Sequence, residues 1–339
     1  MAPKDTIQNT VDEKTVMAEL NKFCASDNKR AVWELSVTLI AFASFFTMMV
    51  YGLQGHYWLT ALGWFPAGVL LVRIFTIQHD CGHGAFFTST KANDILGCIL
   101  GVFTLSPYYY WRKNHNVHHA FSGNLERRGI GDVDTLTIDE YKKLPFWPRL
   151  WYRLYRNPYF MLSIAPIALF FVKHRVPLDN PFHSWKSWKN IMLTNLALAA
   201  VITAIVYFLG WKALFFVALP VSWLASSLGV LIFYIQHQYE DMYWREHKNW
   251  SYFEAGWKGS SYFEFGRFPS WLICNINIHH IHHLNSRIPF YRLRECFETV
   301  PILQTVPKRS FRDIPKCLTM ALWDEDNQKM VGFSALKNA

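Results

Sequence analysis

Charge is scarce in this chain. Asp, Glu, Lys and Arg make up 17% of its 339 residues, where a soluble domain carries about 25%, and aromatic residues account for a further 17%. That balance argues against an ordinary soluble domain and for a membrane protein. Paired cysteines are also missing: Cys24, Cys81, Cys98, Cys274, Cys296 and Cys317 contain no CxxC pair. This excludes a disulfide framework and fits reduced thiols facing the cytosol. No histidine is followed by glutamate, so the HExxH arrangement of zinc proteases is absent. The opening residues, MAPKDTIQNTVDEK, mix charges of both signs around no apolar stretch, which excludes a secretory signal.

Long apolar runs, by contrast, are plentiful. Leu35–Leu53, Tyr57–Ile77, Asn190–Leu209 and Ala213–Ile235 each approach the roughly 20 residues that cross ~30 Å of hydrocarbon at about 1.5 Å per residue. The turns inside each pair, YGLQGHYW and GWK, are too short to hold a domain, so the four spans form two hairpins. Only Lys212 lies in a turn and only Arg73 in a span, so 34 minus 2 leaves 32 Lys and Arg on the opposite side. The asymmetry puts both termini and most of the polar chain in the cytosol. The net charge of +9 is read as facing anionic lipid heads or an acidic soluble partner rather than nucleic acid.

The expected organisation is a polar cytosolic tail over 1–32, a membrane domain over 33–300 and a cytosolic cap or tail over 301–339. Two shorter apolar stretches, Ile95–Tyr110 and Tyr159–Val172, are broken by Pro107 and Pro166 and are expected to be interfacial or re-entrant helices. Arg73, near the end of its span, is expected to snorkel to the headgroups. The fold expectation is an all-α integral membrane protein, with four transmembrane helices in two hairpins and a cytosolic helical cap holding a metal centre.

Ten of the 14 histidines fall in four places. The second span runs into QHDCGH, with His79 and His83. WRKNHNVHHAF holds His115, His118 and His119. The fourth span runs into QHQYED, with His237, and NINIHHIHHLNSRIP holds His279, His280, His282 and His283. In this topology all ten face the cytosol. Residues at i, i+3 and i+4 share a helix face, which groups His79 with His83, His115 with His118 and His119, and His279 with His282 and His283. His280 sits about 100° from His279, outside that face. His56, His174, His183 and His247 are read as ordinary surface or core residues.

Nine neutral nitrogen donors exceed the three or four protein ligands that a zinc takes, but two irons with four or five imidazoles each would use them all. Imidazole also suits zinc, copper and nickel; iron is favoured by a location where a soluble carrier can deliver electrons and a lipid chain can arrive from the bilayer. A metal carrier or storage protein is the non-catalytic alternative.

HDCGH, HNVHH and HHIHH, in this order and with these spans, resemble the three histidine boxes of the membrane fatty-acid desaturases. His237 in QHQYED resembles the extra histidine before the third box. GNLERRGIGDVDTLT, SSYFEFG and NINIHHIHHLNSRIPFY resemble the bacterial branch related to delta-12 (omega-6) acyl-lipid desaturases. The likeness covers about Trp33 to Phe297.

The resemblance implies a non-haem diiron centre that uses O2 and two external electrons to place a cis double bond in a membrane-lipid acyl chain. It also implies a bacterial inner membrane, with delta-9 or omega-3 insertion as competing positions and a hydroxylase as the alternative reaction. No HPGG motif of a fused cytochrome b5-like domain occurs, so electrons are expected from a separate, ferredoxin-type donor. Ligating histidines need partners for their other nitrogen, and Asp80, Asn116, Glu240, Asp241, Asn275, Asn277 and His280 are the candidates. Aromatics of Tyr108–Trp111 and Trp257–Phe268 are candidate walls of an acyl tunnel, although aromatics beside spans also serve as interfacial anchors. Arg127, Arg128 and Asp132, in ERRGIGD, are assigned either to lipid headgroups or the electron donor, or to a solvated loop.

Overall fold

A computed structural model describes residues 12–176 and 185–337; His183 lies outside them. The helices are α1 (Glu13–Asn21), α2 (Asn28–Gly52), α3 (Tyr57–Gly82), α4 (Thr90–Phe103), α5 (Tyr108–Phe121), α6 (Ile138–Lys143), α7 (Phe146–Tyr155) and α8 (Pro158–Ile167). They continue with α9 (Trp185–Ala213), α10 (Leu219–His237), α11 (Tyr252–Lys258), α12 (Arg267–Leu272), α13 (His279–Leu284), α14 (Phe290–Thr299) and α15 (Ile314–Thr319). Among the described residues three stretches are long and apolar enough to cross a membrane: α2, α3 and the 51 residues Ser187–His237. The last joins α9 to α10 through a wider π-type turn at Leu214–Ala218. As one straight helix it would run about 76 Å at 1.5 Å per residue, far more than a bilayer core. Gly210 breaks it, with φ 81° and ψ 165°, a conformation that glycine adopts without a Cβ penalty.

The central helix is α3, packed against α2, α4 and α10, while α9 lies against α4 and α5 and α8 lies against α10. Outward-facing Ile40, Phe65, Leu196, Tyr207 and Phe208 are exposed. On helices of this length such a surface suits contact with lipid. The two shorter apolar stretches are helical but too short to span: α4 has 14 residues and α8 has 10, followed by a five-residue π-type turn at Ala168–Val172.

Arg73 does not snorkel. It is 0% exposed, paired with buried Glu34 of α2, donating from Nε to Thr38 Oγ1 at 2.8 Å and from Nη1 to the Trp271 carbonyl. Its guanidinium also stacks 4.2 Å from the Trp271 ring. A carboxylate one helix away compensates the charge inside the bundle, so the side chain has no need to reach water.

The stretch read as a polar tail contains α1, whose Val16 and Leu20 are buried together with Phe23. The polar side is not purely helical either. Leu136–Thr137 (β1) pairs in parallel with Leu322–Asp324 (β4), which pairs antiparallel with Lys329–Val331 (β5); Tyr262–Phe263 (β2) pairs in parallel with Lys308–Arg309 (β3). These short strands accompany a fold that is otherwise mostly helical, as expected. Strands of two or three residues are too short to show an alternating pattern, and they hold because Leu322, Trp323 and Met330 are buried beneath them.

Candidate metal centre

Each histidine group owes its direction to a local feature. His79 occupies the last turn of α3 and His83 caps it, the chain then turning at Gly84 with φ 67°. His115, His118 and His119 share one buried face of α5. His237 ends α10. Before α13 the chain reverses through Cys274 and Asn275, both at positive φ, and Ile278 bridges to Tyr262. That reversal turns His279, His282 and His283 inward as a buried set.

The nine histidines form two groups, one of His79, His83, His115, His119 and His282 and one of His118, His237, His279 and His283. Within each group the candidate ligand atoms lie within 4.8 Å of one another. In the first group His115 Nε2 is 2.9 Å from His79 Nε2, 3.1 Å from His83 Nε2 and 3.0 Å from His119 Nε2, and His282 Nε2 is 3.1 Å from His119 Nε2. In the second, His237 Nε2 is 2.9 Å from His279 Nε2, and His118 Nε2 is 3.2 Å from His283 Nε2. The groups adjoin, since the His119 and His283 rings stack 4.2 Å apart.

One nitrogen facing three others cannot be satisfied by hydrogen bonds, because a single N–H serves one partner at a time. Metal–nitrogen bonds of about 2.1 Å at right angles place their nitrogens about 3.0 Å apart, so the donor set fits a cation in each group. Burial drives the pKa values of His115, His119, His279, His282 and His283 well below that of free imidazole. The rings are therefore neutral, as ligands must be.

Residues 55–310 match the sequence model of the family described as fatty acid desaturase. A fatty acid desaturase of Bacillus subtilis is 37% identical over 96% of this chain and 92% of its own length. The chain belongs to the fatty acid desaturase family. Two relatives from Synechocystis are more distant. An sn-1 oleoyl-lipid 12-desaturase is 27% identical over 82% of this chain and 78% of its own length. An sn-1 acyl-lipid omega-3 desaturase (ferredoxin) is 28% identical over 77% and 72%.

Around the histidines of this desaturase, the expected supporting residues divide. Asp80 lies beside the site, with its Oδ1 3.5 Å from His79 Nδ1 and its Oδ2 accepting the Phe290 amide at 2.7 Å. The others turn elsewhere. Asn116 is exposed, Glu240 pairs with Lys316 and Asp241 with Arg309. Asn275 binds the Phe290 carbonyl and Arg294, and Asn277 the Phe263 carbonyl. His280 directs its Nε2 to the Leu303 carbonyl at 3.1 Å. Glu240 and Asp241 miss because the chain leaves its helix at His237 and turns toward the C-terminal segment.

Two partners were not foreseen as such: Asp132, whose Oδ1 meets His118 Nδ1, and the Gly259 carbonyl, 3.2 Å from His237 Nδ1. Gly131, at φ 73°, lets the loop pass where a Cβ would lie 2.7 Å from the Asn114 carbonyl oxygen and 3.2 Å from His118 Cβ. The only sequence cue was the pair of glycines in GIGD.

A cavity of about 1010 Å³ reaches His79, His115 and His279, and hence both groups. Its volume is at the upper end of the roughly 300–1,000 Å³ usual for ligand pockets. Tyr110 and Trp111 line it as expected, whereas no residue of Trp257–Phe268 does; Phe75, Phe160 and Phe233 supply further aromatic wall. Tyr108 instead points its hydroxyl at the Cys81 carbonyl, 2.8 Å away, with Asp94 Oδ1 at 3.1 Å.

Proposed function

We propose that the nine histidines hold two irons, five on one and four on the other, and that the enzyme places a cis double bond in an acyl chain lying in the cavity. The observation that carries this reading is one apolar cavity opening onto both histidine groups. When bound, the iron pair would supply the oxidising power, drawn from O2 and two electrons, to remove two hydrogens from adjacent methylenes. In the overall balance two protons are also taken up, and both oxygen atoms leave as water.

This chain's own residues do the rest. Phe75, Trp111 and Phe233 exclude water and hold the methylenes in register with the site. Asp132 accepts a hydrogen bond from the Nδ1–H of His118, leaving Nε2 free to ligate. A delta-12 position on a membrane lipid is our reading from the 12-desaturase relative, and a ferredoxin-type donor from the omega-3 one.

We read α2, α3 and the two halves of Ser187–His237 as four crossings, with the break at Gly210 dividing the last pair. The C-terminal ends of α3 and α10 both carry candidate ligands, His79 and His237, so both ends lie on one side, which the charge count makes the cytosol.

The test is the fatty-acid profile, with double-bond localisation, of bacteria co-expressing this chain with a ferredoxin system, beside a His118→Ala control. A new unsaturated species absent from the control supports the reading. A hydroxylated product, or an unchanged profile from an iron-loaded and reduced enzyme, overturns it.

A further inference from the structure

Helix α7 has an apolar face that the described residues leave uncovered. Phe146, Trp147, Leu150, Trp151 and Leu154 are all exposed, Trp147 at 74%. At 100° per residue they occupy an arc of about 140°. The opposite side is fixed to the protein: Tyr152 is buried and donates to the Ala321 carbonyl at 2.6 Å. The arginines at the edge of the arc fold back, Arg149 to the carbonyls of Lys142 and Leu144 and Arg153 to the Tyr141 hydroxyl. A short helix with aromatic and leucine side chains on one face and arginines beside it is suited to lie in a bilayer surface.

What covers this face follows from its neighbours. α8 continues it with exposed Tyr159, Ile164 and Ile167, and α8 is pinned to α10 by Trp223 Nε1 donating to the Ser163 carbonyl at 3.0 Å. α10 belongs to the membrane-crossing stretch, so the uncovered face is continuous with the lipid-facing surface. Trp151 is at once exposed and part of the cavity wall, and its ring meets that of Phe160, also in the wall, edge-on at 5.9 Å.

We propose that α7 and α8 lie in the cytosolic surface of the bilayer and that Trp151 and Phe160 form the doorway through which a lipid acyl chain passes sideways into the cavity. The doorway rests on the reading of the cavity as the acyl site; the lipid contact of α7 does not.

Two measurements test this on the full chain in phospholipid vesicles, in a background with the two partly exposed cysteines replaced (Cys24→Ser, Cys98→Ser). Nitroxides attached at Trp147→Cys, Leu150→Cys and Leu154→Cys should collide more with O2 than with a water-soluble nickel chelate, as at Phe65→Cys, whereas Asp326→Cys should show the reverse. Aqueous behaviour at all three α7 positions overturns the proposal. Phosphatidylcholine carrying a diazirine on its acyl chain should then cross-link to Trp151 and Phe160 as well as to Phe75 and Phe233. Labelling of Phe75 and Phe233 without Trp151 or Phe160 overturns the doorway. Labelling of α7 with none at Phe75 or Phe233 overturns the acyl reading of the cavity, and the doorway with it, while the lipid contact stands.

Discussion

His115 faces three other histidine nitrogens at 2.9 to 3.1 Å, a crowding that a bound cation would relieve. Its neighbours were readable because i, i+3 and i+4 spacing survives in any helix. Asp132 was not, since it arrives 14 residues after His118 through a loop set by Gly129 and Gly131, both at positive φ. An orienting carboxylate of this kind typically contributes 10- to 100-fold in metal affinity or activity. Asp132→Ala should therefore lose iron to a chelator about 10- to 100-fold faster than the native protein, followed by absorbance of the iron–chelator complex; an unchanged rate would remove Asp132 from the site. Gly131→Ala should act in the same direction, because the added Cβ must push the loop off His118.

Among the elements, α3 holds the bundle together. Arg73 ties it to Glu34 of α2 and to the Trp271 carbonyl, three residues before the chain turns at Cys274 toward α13. Removing one member of a buried pair costs up to about 3–5 kcal/mol, here softened for Glu34 by its second pair with half-exposed Arg30. Arg73→Ala should lower the melting temperature in detergent by several degrees, and Arg73→Ala with Glu34→Ala should lower it less than the two single changes summed. Strict additivity would mean that the pair is not coupled. The long apolar runs were evident from length alone, but not that Arg73 would be compensated, because the partner is 39 residues away on another helix. The short strands escaped for a different reason: β1 and β4 pair across more than 180 residues, and no local pattern announces such a contact.

At the scale of the whole molecule, the basic excess should serve the electron donor. If an acidic carrier docks on the cytosolic face, its reduction rate should fall as ionic strength rises past about 0.1 M; a flat salt titration in stopped-flow would assign the charge to lipid alone. Counting crossings led to the expectation that the histidine groups share one side of the membrane, and the geometry brings them into two adjoining clusters of five and four. Which wall aromatics line the cavity was less legible, since an aromatic beside a span looks the same whether it faces lipid, protein or cavity.

The central claim is that these two clusters hold two irons. Its most direct test is the iron content of the purified, reconstituted chain, measured by mass spectrometry beside His83→Ala and His237→Ala, one from each group. The account predicts about two irons per chain in the native protein and a loss in each variant. One iron or none in the native protein, or two retained in both variants, would contradict it.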